Sequence, residues 1–167
     1  MRYDPEKHHR RSIRLQGYDY RQGLFFLTIC TYQREQLFGE VVDTTTKLNR
    51  FGEIVQETWE WLPLQYPSLE LDICVVMPDH FHGLLFLEGA FDNNSKPEIK
   101  TLGHIVKAMK SVSGKKINIL RETPGASVWQ RNYYEHVVRD EADLARIREY
   151  ITNNPANSEA DLNKSWG

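Results

Sequence analysis

The sequence has few cysteines and no long apolar segment. Its 167 residues include two cysteines, Cys30 and Cys74, and each lies inside an apolar run, which is typical of buried thiols. We therefore expect neither a disulfide scaffold nor a cysteine metal site. No stretch approaches the roughly eighteen apolar residues of a membrane span, and the charged start MRYDPEKHHRRS lacks the apolar core of a signal peptide. These absences predict a cytoplasmic protein.

Positive and negative residues are concentrated in different segments of the sequence, although the formal net charge is only -2. Residues 1–23 carry six Lys or Arg against three acidic residues, and residues 99–121 carry six against none. Residues 35–98 instead hold twelve acidic residues and three basic ones. Basic segments of this kind either form a solvated surface or contact phosphate groups. Charge alone leaves both interpretations open.

The apolar pattern predicts one domain that mixes strands and helices. With 40% hydrophobic residues, a chain of this length can bury one core. Residues 1–22 show no periodicity and are interpreted as a basic arm, residues 23–157 as the folded domain and residues 158–167 as a short tail. Within the domain we expect strands at 24–32, 69–77 and 80–87, and a short extended segment within 128–138.

Three helices are predicted from apolar residues that recur every three or four positions. The first runs from Leu48 to Leu62 and should close at Pro63. The second begins after the N-cap Thr101, with Gly114 as a candidate position for its end or for a bend. The third begins after the N-cap Asp140 and ends before Pro155. The resulting order, β-α-β-β-α-β-α, predicts an α+β fold in which helices pack on an antiparallel sheet.

The second predicted helix has a basic face. At about 100° per residue its apolar residues share one side, and the opposite side carries Lys100, Lys107, Lys110 and Lys115. We expect this lysine face to point to solvent, where it could contact phosphate groups.

Two histidines, His80 and His82, lie two residues apart in a predicted strand. Side chains at this spacing project from the same face, about 7 Å apart at the backbone. Both imidazoles could therefore look outward and share a metal ion, while Phe81 enters the core. Two histidines do not make a metal site by themselves. The alternative is a pair of hydrogen-bonded polar residues at a strand edge.

The last predicted helix presents a phenol beside an amide. Tyr150 and Asn154 are four residues apart, at the border of the apolar stripe of this helix. Because Pro155 disfavours the helical conformation at Asn154, we expect this residue in the last turn, where its amide oxygen could reach a metal held by the histidines. The alternative is a half-buried border aromatic at Tyr150 and a helix C-cap at Asn154.

Three segments resemble the REP-associated tyrosine transposases, which are single-domain relatives of the single-tyrosine transposases of small bacterial insertion sequences. They are LFFLTICTYQREQLFG, VVMPDHFHGLLF and WQRNYYEHVVRDEADLARIREYITNNP, and the resemblance spans nearly the whole chain. It implies a ferredoxin-like α+β domain with a central antiparallel sheet flanked by helices. It also implies a divalent metal ion, Mg or Mn, bound by His80, His82 and Asn154, and a catalytic nucleophile at Tyr150. Tyr133 and Tyr134 do not match the nucleophile position.

The activity implied by the resemblance is metal-dependent cleavage and joining of single-stranded DNA. Such an enzyme cuts at hairpins of palindromic repeats through a 5′-phosphotyrosine intermediate, and it acts as a monomer or a homodimer. We expect basic residues of the arm, the second helix and the segment after it to contact the DNA: Arg10, Arg11, Arg14, Lys107, Lys110 and Arg131. Two alternatives stay open, a non-catalytic regulator that binds nucleic-acid hairpins and a small hydrolase in which the metal activates water.

Overall fold

The computed structural model describes residues 22–88 and 101–157. The strands and helices of this part follow one another as β1 (Gly23–Cys30), β2 (Gly39–Val42), β3 (Thr45–Leu48), α1 (Arg50–Gln65), β4 (Leu69–Met77), β5 (His80–Leu87), α2 (Leu102–Leu120), β6 (Tyr134–Val137) and α3 (Glu141–Asn153). No helix of the described part combines the length and the apolar character that a membrane crossing requires.

The central sheet is antiparallel and has the strand order β4-β5-β1-β6, so β5 and β1 are its inner strands. Side chains alternate between the two faces of each strand. Phe25 and Leu27 of β1 enter the larger core, which α1 and α2 cover. Phe26 joins a smaller cluster on the opposite face, where Ile147 and Ile151 of α3 pack. The predicted α+β fold is confirmed, with two helices on one face of the sheet and one on the other.

Two predicted strands have the observed bounds, whereas the first helix differs at both ends. β4 and β5 span the predicted 69–77 and 80–87. Helix α1 begins at Arg50 after the N-cap Asn49, whose side chain accepts the N–H of Gly52 at 3.0 Å. The prediction that Pro63 ends this helix is wrong, because α1 continues to Gln65. Pro63 lacks the N–H that would bond the carbonyl of Trp59, and α1 continues for only two residues beyond it.

The other two helices begin where the sequence predicted. The side chain of Thr101 accepts the N–H of His104, and the side chain of Asp140 accepts the N–H of Asp143. Helix α2 neither ends nor is interrupted at Gly114, since it continues to Leu120. A helical glycine costs only about 1 kcal/mol relative to alanine, and the buried residues on either side hold the helix on the sheet.

A hairpin of β2 and β3 is the part of the fold that the sequence analysis did not identify. Its two-residue turn, Asp43 and Thr44, has φ values of 48° and 65°, the conformation that a type I′ hairpin requires. Gly39 at its base has a φ of 145°, and a Cβ there would lie 2.2 Å from the carbonyl oxygen of Lys47. Only glycine fits this approach of the two strands.

The two cysteines are half-buried in the structure. Burial, together with the charge of Glu60, raises the pKa of the Cys74 thiol to about 11. A thiol with such a pKa is unreactive near neutral pH.

Candidate active site

The candidate site lies where the start of β5 meets the end of α3. Phe81 points to the α1 face and packs against Trp59, with ring centroids 5.0 Å apart. His80 and His82 therefore point to the opposite face, where they are 3% and 0% exposed. The prediction that both histidines look outward is wrong, because α3 covers this face and β5 is an inner strand. Their rings are neighbours, with centroids 4.6 Å apart.

His80 is held between a carboxylate and an amide. Its Nδ1 lies 2.6 Å from Oδ1 of the buried Asp79, and its Nε2 lies 3.3 Å from Oδ1 of Asn154. Burial alone would raise the pKa of Asp79, but the hydrogen bond and charge of His80 and the ion pair with Arg34 hold it below its usual value. With Nδ1 donating a hydrogen bond to the ionised carboxylate, a neutral His80 would turn the lone pair of Nε2 toward Asn154, whereas a protonated His80 would donate from Nε2 to its Oδ1.

His82 is fixed in a similar way by a hydroxyl group. Its Nδ1 lies 2.8 Å from Oγ1 of Thr28, which is directly opposite on β1. The ring also stacks on Phe26, with centroids 5.4 Å apart. Since Nδ1 is engaged by Thr28, Nε2 is the ligand atom that His82 would offer to a metal.

Helix α3 contributes Tyr150 and Asn154, one turn apart. The half-buried Tyr150 ring lies 5.3 Å from the His82 ring and meets the Phe26 ring edge-on at 6.0 Å. Asn154 is 1% exposed and has helical backbone angles, φ −57° and ψ −45°. Asn154 therefore caps the last turn of α3, where the sequence predicted it, but Pro155 does not move it out of the helical conformation. The backbone continues into a turn, in which the N–H of Asn157 bonds the carbonyl of Asn153 at 3.1 Å.

The donor set fits a divalent cation. Within residues 22–88 and 101–157, no three His, Cys, Asp or Glu side chains form a metal-binding group, so the set depends on the amide oxygen of Asn154. The two candidate ligand atoms, His80 Nε2 and Asn154 Oδ1, lie 3.3 Å apart. Neighbouring ligands of an octahedral Mg²⁺ are separated by about 3 Å. Amide oxygens suit Mg and Mn, whereas imidazole suits later transition metals, so the mixed set does not by itself select one divalent metal.

The rival tyrosines lie at the start of β6 and just before it. Tyr134 of β6 shares the α3 face, where its ring is 6.3 Å from Phe26. Burial raises its pKa, the charge of Asp143 adds to the rise, and Arg146 opposes it. Tyr133 instead lies beneath the ammonium of Lys110, 5.7 Å from the ring centroid. The Tyr150 ring, by comparison, lies 5.3 Å from the His82 ring.

Three of the basic residues predicted to contact DNA lie in the described part of the chain, namely Lys107, Lys110 and Arg131, and Lys110 lies next to Arg131. Lys107 is exposed on α2, and Arg131 is exposed just before β6. The prediction that Lys110 points to solvent is wrong, because the segment after α2 folds back over this side of the helix. Its Nζ donates to the backbone carbonyls of residues 130, 131 and 132 at 2.7, 3.3 and 3.1 Å, and burial lowers its pKa to about 8. Arg10, Arg11 and Arg14 lie outside the described residues.

Sequence reasoning did not assign the residues that orient the site. Asp79 is recognisable in the string PDHFH as an acidic neighbour of the histidine pair, but its hydrogen bond to His80 is not. Thr28 is fifty-four positions from His82, and only the register of β1 on β5 reveals the pair. Arg34, which binds Asp79, carries no sequence signal that separates it from other surface arginines.

Comparison with known proteins identifies relatives of the whole chain. No protein-family model matches it. An uncharacterised protein of Haemophilus influenzae is 38% identical over 174 residues, which cover 96% of each chain. A second Haemophilus influenzae protein, assigned to the REP-associated tyrosine transposases, is 30% identical over 146 residues, 86% of this chain and 77% of the relative.

The fold also matches a solved structure, that of a REP-associated tyrosine transposase bound to a REP hairpin. The TM-score is 0.55 at 21% identity, with 89% of this chain and 74% of that chain covered. The structural match supports the shared fold, and the sequence match extends over more than two thirds of the assigned relative. The chain therefore belongs to the REP-associated tyrosine transposase family.

Proposed function

We propose that this protein is a metal-dependent endonuclease and strand transferase that cuts single-stranded DNA at hairpins of palindromic repeats. The observation that carries the proposal is the convergence of two imidazoles, a buried amide oxygen and a phenol at one end of the sheet. Its central distance is the 3.3 Å between His80 Nε2 and Asn154 Oδ1. Such a set serves phosphoryl transfer better than binding alone, because binding needs neither buried metal ligands nor an adjacent nucleophile.

The cation would be held by Nε2 of His80, Nε2 of His82 and Oδ1 of Asn154. Bound there, Mg or Mn supplies positive charge that neutralises the scissile phosphate and helps to align it. Asp79 and Thr28 keep the two imidazoles oriented through their Nδ1 atoms. Orienting partners of this kind maintain both the tautomer and the basicity of a ligand.

Tyr150 would act as the nucleophile. Its Oη attacks phosphorus and loses its proton to solvent, a bond forms between tyrosine and the 5′-phosphate, and the P–O3′ bond breaks. The departing O3′ takes up a proton and becomes a 3′-hydroxyl. Attack by another 3′-hydroxyl reverses these bond changes, joins the strands and restores the phenol. The ring contacts with Phe26 and His82 restrict the phenol to one side of the histidine pair.

The proposed substrate is a DNA hairpin with unpaired flanking bases. The related structure carries a REP hairpin, and recognition of this type depends on shape and phosphate contacts. The exposed Lys107 and Arg131, with Arg10, Arg11 and Arg14, would contact phosphates. Lys110, whose ammonium binds backbone carbonyls, would support the segment that carries Arg131.

The test uses a single-stranded DNA oligonucleotide that folds into a hairpin of the REP type, labelled at either the 5′ or the 3′ end. Purified protein is incubated with it and Mg or Mn, and denaturing gels detect label on the protein. We expect retained label only with the 3′-labelled strand, and none for Tyr150→Phe or with a chelator. Tyr134→Phe is the matched control and should retain the label. Cleavage without any retained label would indicate a hydrolase, and binding without cleavage would indicate a regulator.

A further inference from the structure

The segment between β1 and β2, residues 31–38, wraps around the turn that precedes His80. The N–H of Thr31 donates to the carbonyl of Asp79 at 3.0 Å. The N–H groups of Leu37 and Phe38 both donate to the carbonyl of Pro78, at 2.8 and 3.0 Å. These hydrogen bonds fix the backbone of residues 31–38 relative to the Pro78–Asp79 turn. A side chain of this segment that contacts the turn is therefore held in a defined position.

Arg34 lies in this fixed segment, and its guanidinium binds the carboxylate of Asp79. Its Nε and one terminal nitrogen both reach Oδ2, at 3.1 and 3.0 Å. The other terminal nitrogen donates to the sulfur of Cys30 at 2.8 Å, and Cys30 is the residue opposite His80 in the β1–β5 register. The two oxygens of the Asp79 carboxylate therefore have different partners. Oδ2 accepts from Arg34, and Oδ1 lies 2.6 Å from Nδ1 of His80.

The backbone at Arg34 is in an uncommon conformation. Gln33 and Arg34 have φ values of 53° and 56°, in the left-handed region that residues other than glycine rarely adopt. Such conformations persist where surrounding contacts hold them, and they occur often beside functional sites. Here the strained turn directs the guanidinium back toward Asp79.

We infer that Arg34 is a positioning residue for the metal site: by fixing Asp79, it holds the His80 ring with Nε2 toward Asn154. This inference rests on the proposed function, because it gives a purpose to the orientation of His80. The guanidinium suits the task since it is planar and always charged, and it can place two N–H groups on one carboxylate oxygen. A lysine at this position would offer one flexible point charge.

The first experiment measures Mn²⁺ binding to the protein without DNA, by electron paramagnetic resonance or calorimetry. Loss of an orienting partner typically weakens metal binding 10- to 100-fold, and we expect about tenfold for Arg34→Met, with partial recovery in Arg34→Lys. Arg50→Met is the matched control, since Arg50 pairs with Glu53 and Glu57 on α1. It should bind Mn²⁺ as the parent does. Circular dichroism establishes that each variant is folded before its affinity is compared.

A double-mutant cycle then identifies the route of the effect. If Arg34 acts through Asp79, Arg34→Met should cause no further loss of Mn²⁺ affinity in an Asp79→Asn background. An equal loss in both backgrounds would overturn the inference, as would an unchanged affinity in Arg34→Met itself.

Imidazole NMR gives a measurement that does not depend on metal. The His80 Nδ1 proton, hydrogen-bonded to Asp79, should give a protected low-field signal that Arg34→Met weakens or shifts and Arg50→Met does not. A parent protein that binds no Mn²⁺ and forms no adduct would refute the proposed function. An unchanged His80 signal in Arg34→Met would refute the positioning role alone.

Discussion

At the scale of single residues, the two histidines of the site are held in the same way. Each is held at Nδ1 by a buried oxygen, that of Asp79 for His80 and that of Thr28 for His82. Both rings are thereby set to offer Nε2, and neither rotates without breaking a buried hydrogen bond. Because a buried group left without its partner is costly, these two oxygens contribute to stability as well as to ligand orientation.

Thr28→Val should separate these two contributions. Valine keeps the shape of threonine but removes the hydroxyl that binds His82, so we expect unfolding free energy to fall by about 1–3 kcal/mol and Mn²⁺ affinity to fall about tenfold. Urea unfolding and Mn²⁺ titration measure the two effects. Thr58→Val is the control, because the buried Thr58 hydroxyl donates to the Ile54 carbonyl within α1 at 2.7 Å. A similar loss of Mn²⁺ affinity in Thr58→Val would contradict a specific role of Thr28.

Two glycines should respond to alanine in opposite directions. A Cβ at Gly83 would lie 2.7 Å from the Trp59 ring and 2.8 Å from the Phe81 ring, both buried. Gly83→Ala should therefore lower the unfolding free energy by about 1–3 kcal/mol through overpacking. A Cβ at Gly114 would have its nearest neighbour at 3.9 Å, so Gly114→Ala should stabilise α2 by up to about 1 kcal/mol. Thermal melts of both variants check the two signs, and equal melting temperatures would refute the packing argument.

At the scale of elements, the sequence predicted those whose pattern is local. The apolar and β-branched runs of β4 and β5, separated by Pro78 and Asp79, were sufficient for their observed bounds. The β2–β3 hairpin was missed because its turn, Asp43 and Thr44, lacks the glycine that usually marks a type I′ turn. The orientation of Lys110 could not be predicted either. Helical periodicity gives the direction of a side chain but not what folds over it.

The same distinction applies to the candidate site. Tyr150, Asn154, His80 and His82 were proposed from spacing and resemblance, since each pair is close in sequence. The depth of the site was not predictable, because burial of the histidines arises from α3 packing across an inner strand. Thr28 and Arg34 depend on the register of β1 and on a turn with positive φ values, which no local pattern specifies.

Helix α3 is attached to β6 through Asp143, and this attachment should fail in acid. The Asp143 carboxylate accepts from Nε2 of His136 at 2.8 Å, from Arg146 and from the N–H of Arg139 at 3.3 Å. Burial alone would raise its pKa, but these partners hold it below the usual 3.8. A depressed carboxylate pKa stabilises the fold above the unfolded-state value, and that contribution disappears as the pH falls through the folded-state value.

Asp143→Asn should therefore be less stable than the parent at neutral pH, with a difference that shrinks on acidification below about pH 4. Urea unfolding followed by circular dichroism at a series of pH values measures it. Asp43→Asn, in the exposed turn of the β2–β3 hairpin, is the control and should follow the parent. A stability difference for Asp143→Asn that stays constant with pH would exclude this ionised contact as its cause.

At the scale of the whole molecule, the candidate active site and the basic surface of α2 lie on opposite faces of the sheet. The histidines face α3, whereas α2 packs on the other face with α1. The exposed side of α2 carries Lys107, Lys115 and Lys116, and the helix contains no acidic residue. A DNA hairpin that contacts both the candidate active site and the lysines of α2 would pass around the β6 edge of the sheet, near the exposed Arg131. DNA cutting on the α3 face and binding of the hairpin stem on the α2 face could then be separated by mutation.

The separation of the two faces predicts a binding defect without a chemical one. Replacing Lys107, Lys115 and Lys116 with alanine should weaken hairpin binding and lower the slope of log K against log salt by about 0.9 for each phosphate group that the variant no longer binds. The rate of adduct formation at saturating hairpin should stay near that of the parent, because these lysines lie across the sheet from Tyr150. Lys47→Ala, on the exposed β3 strand, is the control for removal of a lysine. An unchanged salt slope would show that α2 does not contact the DNA, and a slower saturated rate would show that the two faces are coupled.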